Sequence, residues 1–224
     1  MPLRAYDCLE SWQRLMPDWE YRLWNEDNFD VQSVPYTAEA YAAGKYAFVS
    51  DYVRLWALER EGGVYLDVDF EAYRCFEPLL VNSAFAGFEG SKHLPLMMGV
   101  CASEPHGEWV GEMLAAYDGR HFLKADGHPD MTTNVQFVSS LMAKNGFVQN
   151  GEEQDYRDLH IYPVEYFCPR LTTGEYLRGD NTYCESRGES SWAATGRSWK
   201  TLLLRCVGPQ VRVKIIKLKR KILG

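Results

Sequence analysis

Leu9, Trp12, Leu15 and Met16 recur at the three- and four-residue spacing of one helical face, and Pro17 ends the run, so residues 5–16 predict a helix. "WEYRLWN" at 19–25 alternates as a short strand, with Asn25 to Asn28 as a polar turn. From Thr37 to Gly63 the pattern reads as one long helix, with Thr37 at its N-cap, Glu39 close behind and a glycine pair at its end. "GGVYLDVDF" follows at 62–70. Strand alternation there sends Val64, Leu66, Val68 and Phe70 to one face and Tyr65, Asp67, Asp69 and Glu71 to the other. Further on, "AFAGFEG" at 84–90 predicts a strand, and "GEWVGEMLAAYDG" at 107–119 a helix with Trp109, Met113 and Leu114 on its apolar side. "NVQFVSSLMAKNG" at 134–146 predicts a helix ended by Asn145 and Gly146, and "HIYPVEYF" at 160–167 a strand. Strands separated by helices, with no internal repeat, predict an α/β fold whose mixed sheet is covered on both faces.

Two features of this pattern carry chemistry. Asp67 and Asp69 share a strand face, where like charges repel and lose hydration unless protonation, a basic partner or a cation relieves them. In "AFVSDYVRLWAL" at 47–58 only Ser50, Asp51 and Arg54 are strongly polar, and offsets of three and four put them on one stripe of an otherwise apolar, buried helix. An Asp and an Arg one turn apart there either brace the helix as an ion pair or hold a fixed fork toward a ligand. The stripe lies 13 to 19 residues before the two aspartates, joined to them by Gly62 and Gly63, so both groups can face one cleft at a strand's carboxyl end. A divalent cation shared by the two carboxylates and a diphosphate resolves the repulsion, with Mg or Mn the natural ion for oxygen ligands.

Composition narrows the classes. With 224 residues, 46% of them hydrophobic, the chain suits one substantial domain, expected over residues 1–210. A formal net charge of -7 argues against nucleic acid as a partner. That charge is uneven: residues 211–224 hold six of the 24 Lys and Arg and no acid, so the first 210 carry -13, 18 basic against 31 acidic. Six cysteines without metal-ligand spacing point to reduced thiols in a cytoplasmic protein, and the five histidines never pair at metal-binding intervals. No stretch approaches the roughly 18 apolar residues of a membrane span, and the N-terminus lacks a signal-peptide pattern.

"SDYVRLWALEREGGVYLDVDF" closely resembles the DXD sugar-transfer signature of bacterial capsular and lipopolysaccharide glycosyltransferases, a family related to yeast initiating mannosyltransferases and, more distantly, to glucosylating bacterial toxins. "SWQRLMPDWEYRLWNEDNF" and "IYPVEYFCP" extend the resemblance over most of residues 6–199. It implies a GT-A-like mixed sheet flanked by helices, a UDP- or GDP-hexose donor, Mn or Mg, and retention of anomeric configuration. Relatives usually begin with a strand of the type "IPKIIHxxWFGG", and the expectation here is a sheet without it. By position, the resemblance makes Asp69 a metal ligand, and Asp67 a contact of the donor and the metal shell. Asp51 and Arg54 would hold the transferred sugar, with Ser50 supporting them, so that Asp51, Arg54 and Asp67 form the catalytic group.

Many relatives complete the metal and diphosphate site with a "HHxxxSW" pattern. This chain has "TYCESRGESSWAATGRSW", where Glu185, Glu189, Ser190 or Ser191 offers an oxygen ligand and Trp192 or Trp199 a cover for the diphosphate. Ser191 and Trp192 are the favoured pair. "TTNVQF" at 132–137 falls where relatives place acceptor-side residues, making Asn134 and Gln136 the acceptor candidates. The expected acceptor is a surface polysaccharide or lipid-linked glycan. Residues 211–224 mix Val, Ile and Leu with Lys and Arg, as amphipathic helices on anionic membranes do, which predicts peripheral attachment at the cytoplasmic membrane face. The alternatives are a non-catalytic sugar- or nucleotide-binding relative and a phosphatase with an aspartate nucleophile. The second fits less well, because Phe70 and Glu71 follow the aspartates and the polar stripe would go unused.

Overall fold

The computed structural model describes residues 3–91 and 93–188, and the backbone of 203–207; Ser191, Trp192, Trp199 and the 211–224 segment lie outside the described residues. In chain order the elements are α1 (Leu3–Leu15), β1 (Glu20–Trp24), α2 (Pro35–Ala42), α3 (Tyr46–Glu61), β2 (Gly63–Leu66), β3 (Phe70–Ala72), β4 (Ala84–Gly87), β5 (Val100–Ser103), α4 (Glu108–Ala115), α5 (Asn134–Ala143), β6 (Gln154–Tyr156), β7 (Leu159–Tyr162), β8 (Cys184–Ser186) and β9 (Leu203–Val207). Short 3-10 turns cover Glu77–Val81 and Val164–Tyr166.

Seven strands form one mixed sheet in the order β1-β9-β2-β5-β4-β7-β6, in which only β4 and β7 run parallel. β3 and β8 make a separate antiparallel ribbon. Alternation along the strands divides the core between the two faces. Tyr65, Ala84, Ala86, Cys101 and Ile161 pack with residues of α2 to α5, while Val64, Leu66, Phe85, Val100 and Ala102 pack with Cys8 and Trp12 of α1, with Met16 just beyond it, and with the ribbon. A mixed sheet with helices on both faces is the GT-A-like architecture expected from the sequence.

Several local expectations are corrected. The long helix is two helices, broken at Ala43 to Lys45, where Gly44 takes a left-handed φ of 68°. Thr37 is not a cap. It lies inside α2, fully buried, with its hydroxyl within hydrogen-bond distance of the Val31 and Val34 carbonyls, and Val34 stands at the N-cap. The acidic strand also ends early: β2 stops at Leu66, and Asp67 to Asp69 form a turn closed by the Phe70 N–H donating to the Asp67 carbonyl at 3.1 Å. "HIYPVEYF" is a strand only to Tyr162, and Pro163 leads into a 3-10 turn. At the end of α3, Gly62 has φ 62°, and a Cβ there would stand 2.5 Å from Pro105 Cδ, so the helix-to-strand turn admits only glycine.

Candidate active site

α3 lies between the sheet and α4 and is apolar on nearly every side, so its polar stripe is buried with it. Arg54 is 6% exposed and fully engaged. Its Nη2 pairs with Asp51 Oδ1 at 2.8 Å and lies 3.7 Å from Asp67 Oδ1. Its Nη1 donates to the Met98 carbonyl at 2.5 Å, its Nε reaches the Ser50 carbonyl at 3.4 Å, and the guanidinium sits 4.7 Å over the Tyr65 ring. The Tyr65 hydroxyl donates in turn to Asp67 Oδ1. A cation held by two carboxylates, two carbonyls and an aromatic face can neither rotate nor lose its charge. Burial works against that charge, but Tyr65, Asp67 and Asp51 outweigh it and raise the Arg54 pKa.

Asp51 shows the opposite balance. Desolvation pushes its carboxyl up from 3.8 to about 6, Arg54 offsets only part of this, and Asp67 adds to the rise. The Ser50 hydroxyl donates back to the Ala47 carbonyl at 2.7 Å, as a satisfied serine in a helix does.

The two aspartates of the turn diverge in their partners. Asp67 belongs to the arginine side: its N–H donates to the Gly99 carbonyl at 2.8 Å, and Gly99 can only be glycine beside it, because a Cβ there would stand 3.0 Å from Asp67 Oδ2 and 2.6 Å from Phe70 Cε2. Asp69 belongs to the ribbon side. Its Oδ2 accepts from Ser186 Oγ at 3.1 Å and its carbonyl accepts from the Arg187 N–H at 2.8 Å. The single acidic face expected from alternation is thus a turn bridging the main sheet and the ribbon.

The acceptor candidates separate too. Asn134 is buried, with its Nδ2 3.4 Å from the Asp51 carbonyl and its Oδ1 3.4 Å from the Tyr117 hydroxyl, so it joins the stripe from α5. Gln136 is exposed and closes a capping box with Thr133 at the start of α5, which accounts for both its backbone and side-chain bonds. Glu185 is no open ligand: it is 2% exposed and accepts from Arg170, Tyr73 and Tyr176.

Sequence reasoning missed Tyr65, the Met98 carbonyl and Gly99. Tyr65 carried a signal, since it precedes Asp67 by two positions on the same strand face. A small aromatic recess of about 40 Å³ was also missed. It opens beside Ser50 and is lined by Trp24, Asn25, Phe29, Tyr41 and Tyr46 among others.

Asp67 and Asp69 supply hard carboxylate oxygens, the donor chemistry of Mg or Mn. Among the described residues no third His, Cys, Asp or Glu gathers with them. Two carboxylates still fit such an ion, which usually keeps several non-protein ligands.

Comparison with known proteins agrees with the sequence resemblance. Residues 2–86 match the family described as glycosyltransferase sugar-binding region containing DXD motif, which spans α1 through the acidic turn to β4. Two proteins of Saccharomyces cerevisiae are similar. Mannosyl phosphorylinositol ceramide synthase CSH1 is 33% identical over 178 residues, 69% of this chain and 46% of that protein. Mannosyl phosphorylinositol ceramide synthase SUR1 is 33% identical over 93 residues, 37% of this chain and 24% of that protein. The chain therefore spans less than half the length of these relatives, and no solved structure matches it. Family and relatives together support sugar transfer.

Proposed function

We propose that this chain is a retaining glycosyltransferase that moves a hexose from UDP or GDP to a surface polysaccharide or lipid-linked glycan. The observation that carries this reading is the Asp51, Arg54, Asp67 and Tyr65 cluster, a buried and fully braced arginine at the mouth of the DXD turn within the family-matched segment. Such rigidity suits the orientation of a donor sugar, where small misplacements cost large factors in rate.

Asp51 would hold the sugar hydroxyls with Arg54 fixing its carboxylate, Asp67 would orient the donor, and Asp67 and Asp69 would hold Mn or Mg. That ion, when bound, stabilises charge on the leaving diphosphate as a Lewis acid. The aromatic side chains of the recess beside Ser50 would stack a nucleobase across its mouth, continuing the donor site away from the sugar. Asn134 would steady the Asp51 backbone from the acceptor side. Ser191 and Trp192 remain the proposed completion of the metal and diphosphate site, and residues 211–224 the proposed peripheral anchor at the cytoplasmic membrane face.

Two measurements test this. A thermal-shift screen of nucleotide sugars with Mn should single out one donor, because a ligand of the native state raises its stability. Mn-dependent release of nucleoside diphosphate from that donor should disappear in Asp69→Asn. No turnover with any common donor by the folded chain would leave the non-catalytic alternative in its place. Sedimentation with anionic vesicles tests the anchor, and equal recovery in the supernatant with and without residues 211–224 would exclude it.

A further inference from the structure

Past the DXD turn, the ribbon leads to a second concentration of arginine that the donor site leaves unused. β3 and β8 pair Phe70 with Ser186, Glu71 with Glu185 and Ala72 with Cys184. Phe70, Ala72 and Cys184 are buried in the core, so the opposite face of the ribbon is polar and runs from Asp69 through Glu71 to Tyr73. The two glutamates stand directly opposite one another, an arrangement that repels unless neutralised. Each has its own cation: Arg187 pairs with Glu71, and Arg170 reaches Glu185 at 2.9 Å. The Tyr73 and Tyr176 hydroxyls add bonds to Glu185 at 3.1 and 2.7 Å. The acids on this face are thereby satisfied.

Arg74 and Arg178 are not consumed in the same way. Among the described residues neither has a carboxylate within 4.0 Å. Arg178 lies 3.8 Å over the Tyr73 ring, and Arg74 lies 4.6 Å over the Tyr183 ring while donating to the Asp180 carbonyl. Both line an open surface groove of about 600 Å³ together with Tyr73, Asn181, Thr182 and the carboxylate-bearing Asp180. The aromatic face fixes each guanidinium's direction, and beyond the bond from Arg74 to the Asp180 carbonyl and that from Arg178 to the Tyr176 hydroxyl each keeps further N–H groups of the kind by which arginine recognises phosphate. The groove begins at Tyr73, four residues after Asp69, at most about 14 Å along an extended chain.

We propose that the Arg74 and Arg178 groove binds a phosphate group carried by the acceptor. The word acceptor rests on the sugar-transfer reading; the phosphate site itself does not. An acceptor seated there would lie along the polar ribbon face with its reactive end at the DXD turn. Asp180 opposes the bound anion and limits its affinity.

Binding to the full chain, with divalent ions removed by a chelator, tests this without any nucleotide sugar, so its outcome is independent of donor turnover. One arm titrates glycerol 1-phosphate by calorimetry. The other sediments the protein with phosphatidylcholine vesicles with and without phosphatidylglycerol, where the basic tail is common to every variant. The double variant Arg74→Ser/Arg178→Ser should weaken binding about tenfold or more, and Asp180→Asn should strengthen it. A loss with glycerol 1-phosphate identifies a soluble phosphate ester, and a loss confined to vesicles a lipid-borne one; either supports the site. No binding of either probe by the native chain, or equal binding by native chain and double variant, overturns it.

Discussion

Replacing Arg54 with Met keeps roughly the volume of the side chain and removes its charge, leaving Asp51 buried without its partner. The side chains of Asp51 and Arg54 are 14% and 7% exposed, so their pair at 2.8 Å counts as buried; Asp67, at 3.7 Å, is 34% exposed and partly screened by solvent. Deleting one member of a buried pair costs about 3–5 kcal/mol, which for a chain of this size lowers the midpoint of thermal unfolding by about 10 °C. The penalty has a pH signature. Asp51 titrates near 3.8 when unfolded and about 6 when native, because burial outweighs Arg54. In that interval the native chain binds a proton that the unfolded chain releases, so stability falls as pH rises toward 6. Without Arg54 the native value climbs further, and each added unit costs about 1.4 kcal/mol at pH values above it. The variant should therefore be markedly weaker than the native chain at pH 8 and much closer to it at pH 5. The double variant Asp51→Asn/Arg54→Met should recover most of the loss. Urea unfolding followed by circular dichroism at the two pH values measures this. An equal penalty at both, or one below about 1 kcal/mol at pH 8, would refute the reasoning.

Three further outcomes follow from the same geometry. Gly99→Ala places a methyl 2.6 Å from Phe70 and 3.0 Å from Asp67 Oδ2, and should cost about 1–3 kcal/mol by thermal melting while displacing the DXD turn enough to cut donor hydrolysis. Tyr65→Phe removes the hydroxyl bonded to Asp67 and should leave stability within about 1.5 kcal/mol while lowering kcat; an unchanged kcat would show that Asp67 needs no such support. Glu185 resists the upward push of burial through bonds from Tyr176, Arg170 and Tyr73, which hold its pKa below 4.5. Its stabilisation is present above that value and lost as pH falls through the native one, so Glu185→Gln should flatten the acid limb of the stability curve and cost about 2–3 kcal/mol at pH 7.

The polar stripe of α3 was legible because helical periodicity is local: offsets of three and four fix which residues share a face, and an apolar surround implies burial. The same locality made α1, β1, α4 and α5 readable, and placed the acidic pair just beyond a glycine turn. Where neighbours in sequence do not set the outcome, the reading failed. The break at Gly44 splits a pattern that is helical on both sides. The short strands β5, β8 and β9 exist through their pairing with distant partners and carry little pattern of their own.

The sequence by itself determined that an arginine, its neighbouring carboxylate and the DXD segment can meet at one end of a buried helix, since all lie within twenty residues joined by a tight turn. Only the tertiary structure decided how they are divided. Asp67 goes to Arg54 and Tyr65, while Asp69 goes to Ser186, 117 residues away, because β2 ends at Leu66 and the chain leaves the main sheet for the ribbon. The Met98 carbonyl, 44 residues from Arg54, and Asn134, 83 residues from Asp51, complete the cluster through contacts that no local spacing encodes. Buried polar groups must find partners somewhere, and which ones they find is a property of the packed chain.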